Sequence, residues 1–167
     1  MIGDVEVREA PGKGLGVFAR RAFSPGEFIF RRRHGRAVAN TDTWRLSEDD
    51  QRHLCELDFE RSAVLLPPGC YLNHSCEPNA MRSGVMVFVW RSIAAGEEVT
   101  IDYRLNAFDD ESRWECRCGA PSCEGVVTGS FFALRDALQR AYLPYAPRFI
   151  RREWRRRSKL QVERDID

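Results

Sequence analysis

"YLNHSCEPNA", residues 71 to 80, is too chemically varied for a loop whose only task is to turn. Asn73, His74, Ser75 and Cys76 stand in a row, followed by Pro78 and a second asparagine, Asn79. The stretch separates two apolar runs, "SAVLLPP" before it and "VMVFVW" after it. Asparagine, histidine and cysteine are residue types that hold ligands and metals, so a fold that suits this chain has to deliver this loop to a site.

Around it lies a chain of 167 residues with 43% hydrophobic residues, enough for one domain with a core and a short appendage. No apolar run reaches membrane-spanning length. Met1 to Arg8 alternates acidic and apolar residues without a signal-peptide pattern, which predicts an intracellular protein, cytoplasmic in a prokaryote and nuclear or chromosomal in a eukaryote. In that compartment thiols stay reduced, and clustered cysteines favour metal over disulfide. Net charge is +1, unevenly spread: eight basic against four acidic residues put +4 on residues 148 to 167, leaving −3 on the rest. A mildly acidic body suits a cationic partner, and equally an ordinary solvated surface.

Patterning predicts many short strands and few helices. "DVEVRE" alternates, "GVFARRAF" and "GEFIFRR" follow around the turn "SPGE", and "SAVLLPPGC" is a strand stopped by two prolines. "NAMRSGVMVFVWRSI" reads as a hairpin turning at Ser83-Gly84, and "AAGEE" leads into the strand "EVTIDY". Ser47 to Leu57 reads as a short helix capped by Ser47. Phe131, Leu134, Leu138 and Tyr142 fall at helical spacing over residues 129 to 142. After "PYAP" comes an arginine-rich helix with Phe149, Ile150 and Trp154 on one side. The class is β-rich α+β, with C-terminal helices.

"CRCGAPSC" sets Cys116, Cys118 and Cys123 in a C-x-C-x4-C pattern, a zinc-ligand layout whose fourth ligand must come from elsewhere. Cys55, Cys70 and Cys76 are candidates; Cys55, in the expected helix, and Cys70, after two prolines, read better as small buried apolar residues.

Four segments now converge. "GKGLGVFA" (12–19), "YLNHSCEPNA" (71–80), "GEEVTIDY" (96–103) and "CRCGAPSC" (116–123) resemble, in order, the signature segments of SET-domain protein lysine methyltransferases with a post-SET zinc motif. The resemblance covers about residues 4 to 127. It implies a SET fold: small curved β-sheets around a pseudoknot, in which the chain after "NHSC" threads beneath "GEEVTIDY". The implied divisions are a SET domain at 1–110 and a zinc knuckle at 111–128; residues 129–167 lie outside the resemblance and read as a C-terminal helical extension with a basic segment.

The resemblance also implies S-adenosylmethionine and Zn2+ as cofactors. Lys13, Gly14, Leu15 and Gly16 match the first cofactor segment, Asn73 and His74 the pair that contacts the donor's amino group and adenine, and Tyr71 a neighbouring cofactor position. Trp114 stands where an aromatic packs on the donor. Cys76 completes zinc binding with Cys116, Cys118 and Cys123, and Tyr103 matches the catalytic tyrosine at the end of a lysine channel that Ile101 helps to line. The implied reaction is methyl transfer to a lysine of a protein, histone or other. The competing reading is an inactive SET-fold module that recruits protein or nucleic acid.

Three positions depart from the histone-directed pattern. Ile101 replaces an aromatic that limits methyl number, so the product is expected not to stop at one methyl. Cys70 stands where many relatives have arginine, and no cysteine-rich segment precedes residue 12. Residues 34 to 66 are expected to set substrate preference. The arginine-rich segment "RREWRRRSK" reads as a solvated or packing face, a nucleic-acid or acidic-partner contact, or an import signal.

Overall fold

The computed structural model describes residues 3–164; the acidic residues Asp165 and Asp167 of the tail, and Met1, lie outside the described residues. The chain opens with β1 (Val5–Ala10) and β2 (Gly14–Ala19), an antiparallel pair in register from Val5 opposite Ala19 to Ala10 opposite Gly14. Next come β3 (Phe28–Arg31) and β4 (Arg33–Ala39), then α1 (Glu48–Arg52), β5 (Leu54–Glu56) and β6 (Arg61–Leu66), the last two joining β4 in a three-stranded sheet. β7 is only Asn73–His74. β8 (Ala80–Ser83) and β9 (Met86–Val89) form a hairpin that turns at Gly84-Val85 and adds β3 at its edge.

β10 (Thr100–Ile101) then runs parallel to β7, with Thr100 opposite Asn73 and Ile101 opposite His74. β11 (Phe108–Glu115) and β12 (Val126–Ser130) pair antiparallel and flank the cysteine-rich knuckle. α2 (Asp136–Tyr142) and α3 (Arg148–Arg164) close the chain. Several small sheets followed by C-terminal helices are what the sequence pattern predicts.

Two sequence expectations are corrected. The helix from Ser47 ends at Arg52, not Leu57, because Leu54 to Glu56 pair with β6 and exchange helical for extended geometry. Its cap is as expected: the Ser47 hydroxyl accepts from Asp50 N–H at 3.2 Å. The helix expected over 129–142 begins only at Asp136, since Val126–Ser130 belongs to a sheet and Phe131–Ala133 to a single 3-10 turn.

Two cores result. Val17, Phe23, Leu72, Val87, Ile93, Val99 and Ile101 pack among the strands of the body. Met81 and Leu105 pack with Phe131, Leu134, Tyr142, Phe149 and Ile150, so the C-terminal segment shares its apolar cluster with the body. No helix among the described residues is long and apolar enough to cross a membrane.

Candidate functional site

The two-residue pair β7–β10 is the centre of the site. Residues distant in sequence meet there because side chains, not a long ladder, hold them. Asn79 is 6% exposed. Its amide donates to Glu97 Oε1 at 2.9 Å and to the Glu98 carbonyl at 2.8 Å, and its oxygen accepts from Thr100 N–H at 2.9 Å. Ser75 N–H donates to the Ile101 carbonyl at 2.9 Å. Residues 75–79 are thereby laid along residues 97–101, the arrangement expected of a pseudoknot.

On one side of this pair lies β2. Asn73 Nδ2 donates to the Leu15 carbonyl at 3.0 Å and to Glu98 Oε1 at 2.7 Å, while Lys13 Nζ reaches Glu98 Oε2 at 2.8 Å. Gly16 has to be glycine: a Cβ there would lie 2.7 Å from Glu98 Oε1 and 3.1 Å from Asn73 Nδ2. Gly14 differs, with φ +78° and nothing within 4 Å of where a Cβ would stand, so its freedom serves the turn and leaves open space. Lys13, Glu98, Ser75, Thr100 and the knuckle residues Cys118 to Pro121 border a shallow depression of about 310 Å³.

On the other side stands Tyr103. Its backbone N–H donates to His74 Nδ1 at 3.2 Å and its phenol donates to the Leu72 carbonyl at 2.7 Å. Nδ1 is therefore the acceptor nitrogen, and His74 Nε2 lies 3.5 Å from Cys76 Sγ. Burial lowers the pKa of His74 against the pull of Asp102, favouring the neutral ring. Burial, then the Glu98 charge, pushes the Tyr103 phenol up to about 12, so it stays protonated at neutral pH. Tyr103 and Ile101 line a second, deeper cleft of about 630 Å³.

Trp114 meets both: its ring lies 5.7 Å from that of His74, edge-on, and 6.2 Å from that of Tyr103. Tyr71 turns elsewhere, packing on the first core and standing edge-on to His53 at 5.7 Å.

The knuckle brings Cys76 to Cys116, Cys118 and Cys123, with all four sulfurs within 4.8 Å of one another. The Cys76 and Cys116 sulfurs are 3.9 Å apart, close to the roughly 3.8 Å edge of a tetrahedron with zinc–sulfur bonds of about 2.3 Å. Burial pushes the Cys76 and Cys116 thiols up, Cys116 to about 11. Cys118, despite burial, is drawn down to about 7 by the N–H groups of Cys76 and Ala120. The donor set is compatible with zinc. Of the three candidates for the fourth ligand, Cys76 is at the cluster; Cys70 lies half-buried in the cleft and Cys55 is buried in β5.

Sequence reasoning assigned no role to Glu98, Asn79 or the Asp102–Arg104–Glu124 network. Arg104, 1% exposed, holds Asp102 through Nε and Nη2, the latter at 2.9 Å, and donates to Glu124 Oε1 at 2.9 Å. The signal for Glu98 and Asp102 was their place in "GEEVTIDY", which identifies the strand but not the partners. Cys55 departs from the apolar surroundings expected for it: Arg82 Nη1 donates to its sulfur at 3.2 Å.

The SET domain family model matches residues 14–104, and the chain belongs to that family. The histone-lysine N-methyltransferase ash1 of Drosophila melanogaster is 39% identical over 67 residues, which are 35% of this chain and 3% of that protein. An H3 lysine-36 specific histone-lysine N-methyltransferase of Candida albicans is 29% identical over 146 residues, 75% of this chain and 17% of its own length. The chain thus spans a small fraction of the curated relatives it matches. The methyltransferase domain of the human histone-lysine N-methyltransferase SETMAR superposes with a TM-score of 0.58 at 21% identity, covering 75% of this chain and 58% of that one. The fold is the SET fold.

Proposed function

We propose that this protein transfers methyl groups from S-adenosylmethionine to a lysine side chain of a protein substrate. The observation that carries the reading is the position of Tyr103, whose backbone is bonded to His74 and which lines the cleft while feeling the charge of Glu98 in the depression. The residues present fit an amino-acid donor with an adenine. Lys13 suits its carboxylate, the Leu15 carbonyl and Glu98 suit its ammonium, and Trp114 offers an aromatic face. S-adenosylmethionine supplies a methyl on a sulfonium, an electrophile that a neutral amine can attack.

This chain's own part is to prepare and aim that amine. A free lysine has a pKa of about 10.4 and must lose its proton to react. Entry into a narrow channel favours the neutral form. The Tyr103 phenol donates its O–H to the Leu72 carbonyl in a hydrogen bond, so the oxygen's lone pairs are left to accept an amine N–H. With its pKa raised, the phenol is an orienting acceptor rather than a base. With the donor bound, Tyr103 and Ile101 would hold the amine toward the sulfonium methyl, which would pass to the nitrogen with the thioether as leaving group, and the product ammonium would release its proton to water. Holding the reactants in line contributes about 7–11 kcal/mol to such a step. Ile101 beside the phenol leaves space for an amine that already carries a methyl.

The zinc reading is part of this proposal: Cys76, Cys116, Cys118 and Cys123 would hold one Zn2+ and close the knuckle beside the depression. The test is radiolabelled methyl transfer into a cell lysate, with Tyr103→Phe as control. Labelled protein that disappears in the variant supports the reading. Failure of zinc-loaded, folded protein to bind S-adenosylmethionine in titration calorimetry would leave the recruiting module as the reading.

A second surface favours a partner. Arg148, Arg151, Arg152 and Arg155 recur at helical spacing and line one groove of about 610 Å³ with Asp58. Asp58 is engaged by Arg61 at 2.8 Å, and none of the four arginines has an ion pair among the described residues. We infer a contact with nucleic-acid phosphates, read as a salt-dependent shift of a DNA fragment that Arg151→Gln/Arg155→Gln removes.

A further inference from the structure

The cleft that holds Tyr103 contains charge the reaction above does not use. Arg32 and Arg82 line it and are 3% and 5% exposed. Both guanidiniums turn to the Cys55 sulfur, Arg82 Nη1 at 3.2 Å and Arg32 Nη2 at 3.8 Å. Among the described residues, the one other hydrogen bond of either guanidinium is Arg32 Nη2 to the Gly84 carbonyl at 3.4 Å. Among the described residues no carboxylate lies within ion-pair distance of either arginine. Glu56 lines the same cleft, but its carboxylate accepts from Phe108 N–H at 2.9 Å.

Buried cations without counter-charge are costly, and so are buried donors without acceptors. Among the described residues, Arg32 Nε, Arg82 Nε and Asn106 Nδ2 are buried with no hydrogen-bond partner, and all three residues line this cleft. Asn106 is 5% exposed. Burial raises the Cys55 thiol, yet Arg82, His34 and Arg32 overturn this and hold it well below its ordinary value. The Cys55 sulfur, lowered in this way, offsets part of the positive charge of the pair. Positive charge and three donors are left over.

We propose that the inner end of this cleft, between Arg32, Arg82 and Asn106, receives one carboxylate of the protein substrate, carried within a few residues of the lysine that meets Tyr103. The positive charge of the pair and the unpartnered donors beside it suit the two oxygens of a planar carboxylate. The same charge repels an arginine or lysine beside the target, so the subsite selects acidic sequence around the methylated lysine and discriminates against uniformly basic tails. The inference rests on the methyltransferase reading for the identity of the partner, and on the arginine pair alone for the chemistry.

Fluorescence anisotropy with short labelled lysine peptides tests it on the zinc-loaded full chain. The peptides carry glutamate, glutamine or arginine near the lysine, and a further pair ends in a free or an amidated terminus. A carboxylate on two charge-assisted donors is expected to bind about tenfold tighter than its amide, with the arginine peptide weakest. The preference should fall to within about twofold in Arg82→Met, checked for folding by circular dichroism. Which pair shows the preference separates a side-chain carboxylate from a chain terminus.

Equal binding of the glutamate, glutamine and arginine peptides, with no preference for the free terminus, overturns the subsite, and that comparison needs no variant. A preference that persists in Arg82→Met and Arg32→Met overturns it as well. Methyl transfer without any carboxylate preference removes the subsite and leaves the enzyme; carboxylate-selective binding without methyl transfer removes the enzyme and leaves the subsite.

Discussion

The knot around β7 and β10 and the C-terminal segment from Phe131 to Trp154 solve the same problem, joining distant stretches of chain, by opposite means. The knot uses buried polar groups with named partners: Asn79 brackets residues 97–100, and Arg104 ties Asp102 to Glu124. The C-terminal segment uses apolar volume, with Phe131 and Ile150 both fully buried against Met81 and Leu105. A polar junction demands one residue type at one position, because a missing partner leaves a buried group unsatisfied. An apolar junction asks only for size and shape. Loss of a partner should therefore be severe in the first region, and conservative exchange mild in the second.

The largest effect is expected from Arg104→Met, which leaves the Asp102 carboxylate buried and unpaired. It should cost about 3–5 kcal/mol in urea denaturation, and the double variant Asp102→Leu/Arg104→Met should recover much of that. If the single and double variants are equally destabilised, the polar account of the knot fails.

In the C-terminal cluster, Phe131→Ala should cost about 3 kcal/mol by the same measurement and Phe131→Leu less than about 1.5. An equal cost for both would erase the contrast between the regions. Asn79→Ala comes next. It strips Thr100 N–H of its acceptor, and about 2 kcal/mol is expected, read as a shifted denaturant midpoint with an unchanged slope.

The smallest effect concerns α3 and acid. Hydrogen bonding from Arg156, then Arg157, holds the Glu153 carboxyl at about 2 against an ordinary 4.5. A carboxylate with a depressed pKa stabilises the fold above 4.5, and the contribution is lost as pH falls toward 2. Its arginine partners are well exposed, so screening limits this to about 1 kcal/mol. Glu153→Gln should flatten the acid limb of the helical circular dichroism signal over that interval.

The same contrast explains what could be read from sequence. "NHSCEPNA" and "GEEVTIDY" are legible because each polar residue has a fixed task, and the structure brings Asn73, His74, Tyr103, Trp114 and the four cysteines into one neighbourhood. Phe131, Leu134, Leu138 and Tyr142 were legible as buried but not as elements. Apolar residues at helical spacing can be buried equally by a strand end, a turn and a short helix.

At Leu54–Glu56 the helical appearance of "SEDDQRHLCEL" lost to pairing with β6, a partner that single-sequence periodicity does not see. Glu98 and the Arg32–Cys55–Arg82 cluster depend on which segments face one another. Nothing in "FRRRHG" or "NAMRS" announces that two of its arginines turn inward onto one sulfur.

Arg104 has a further consequence. One guanidinium touches the carboxylate next to Tyr103 and, through Glu124, the residue that follows Cys123. The backbone that carries Tyr103 and the knuckle are thus fastened to a common rivet. On the zinc and methyltransferase readings proposed above, stripping the cysteines of zinc would slacken the cleft from behind, and a chelator would inhibit methyl transfer without ever entering the channel.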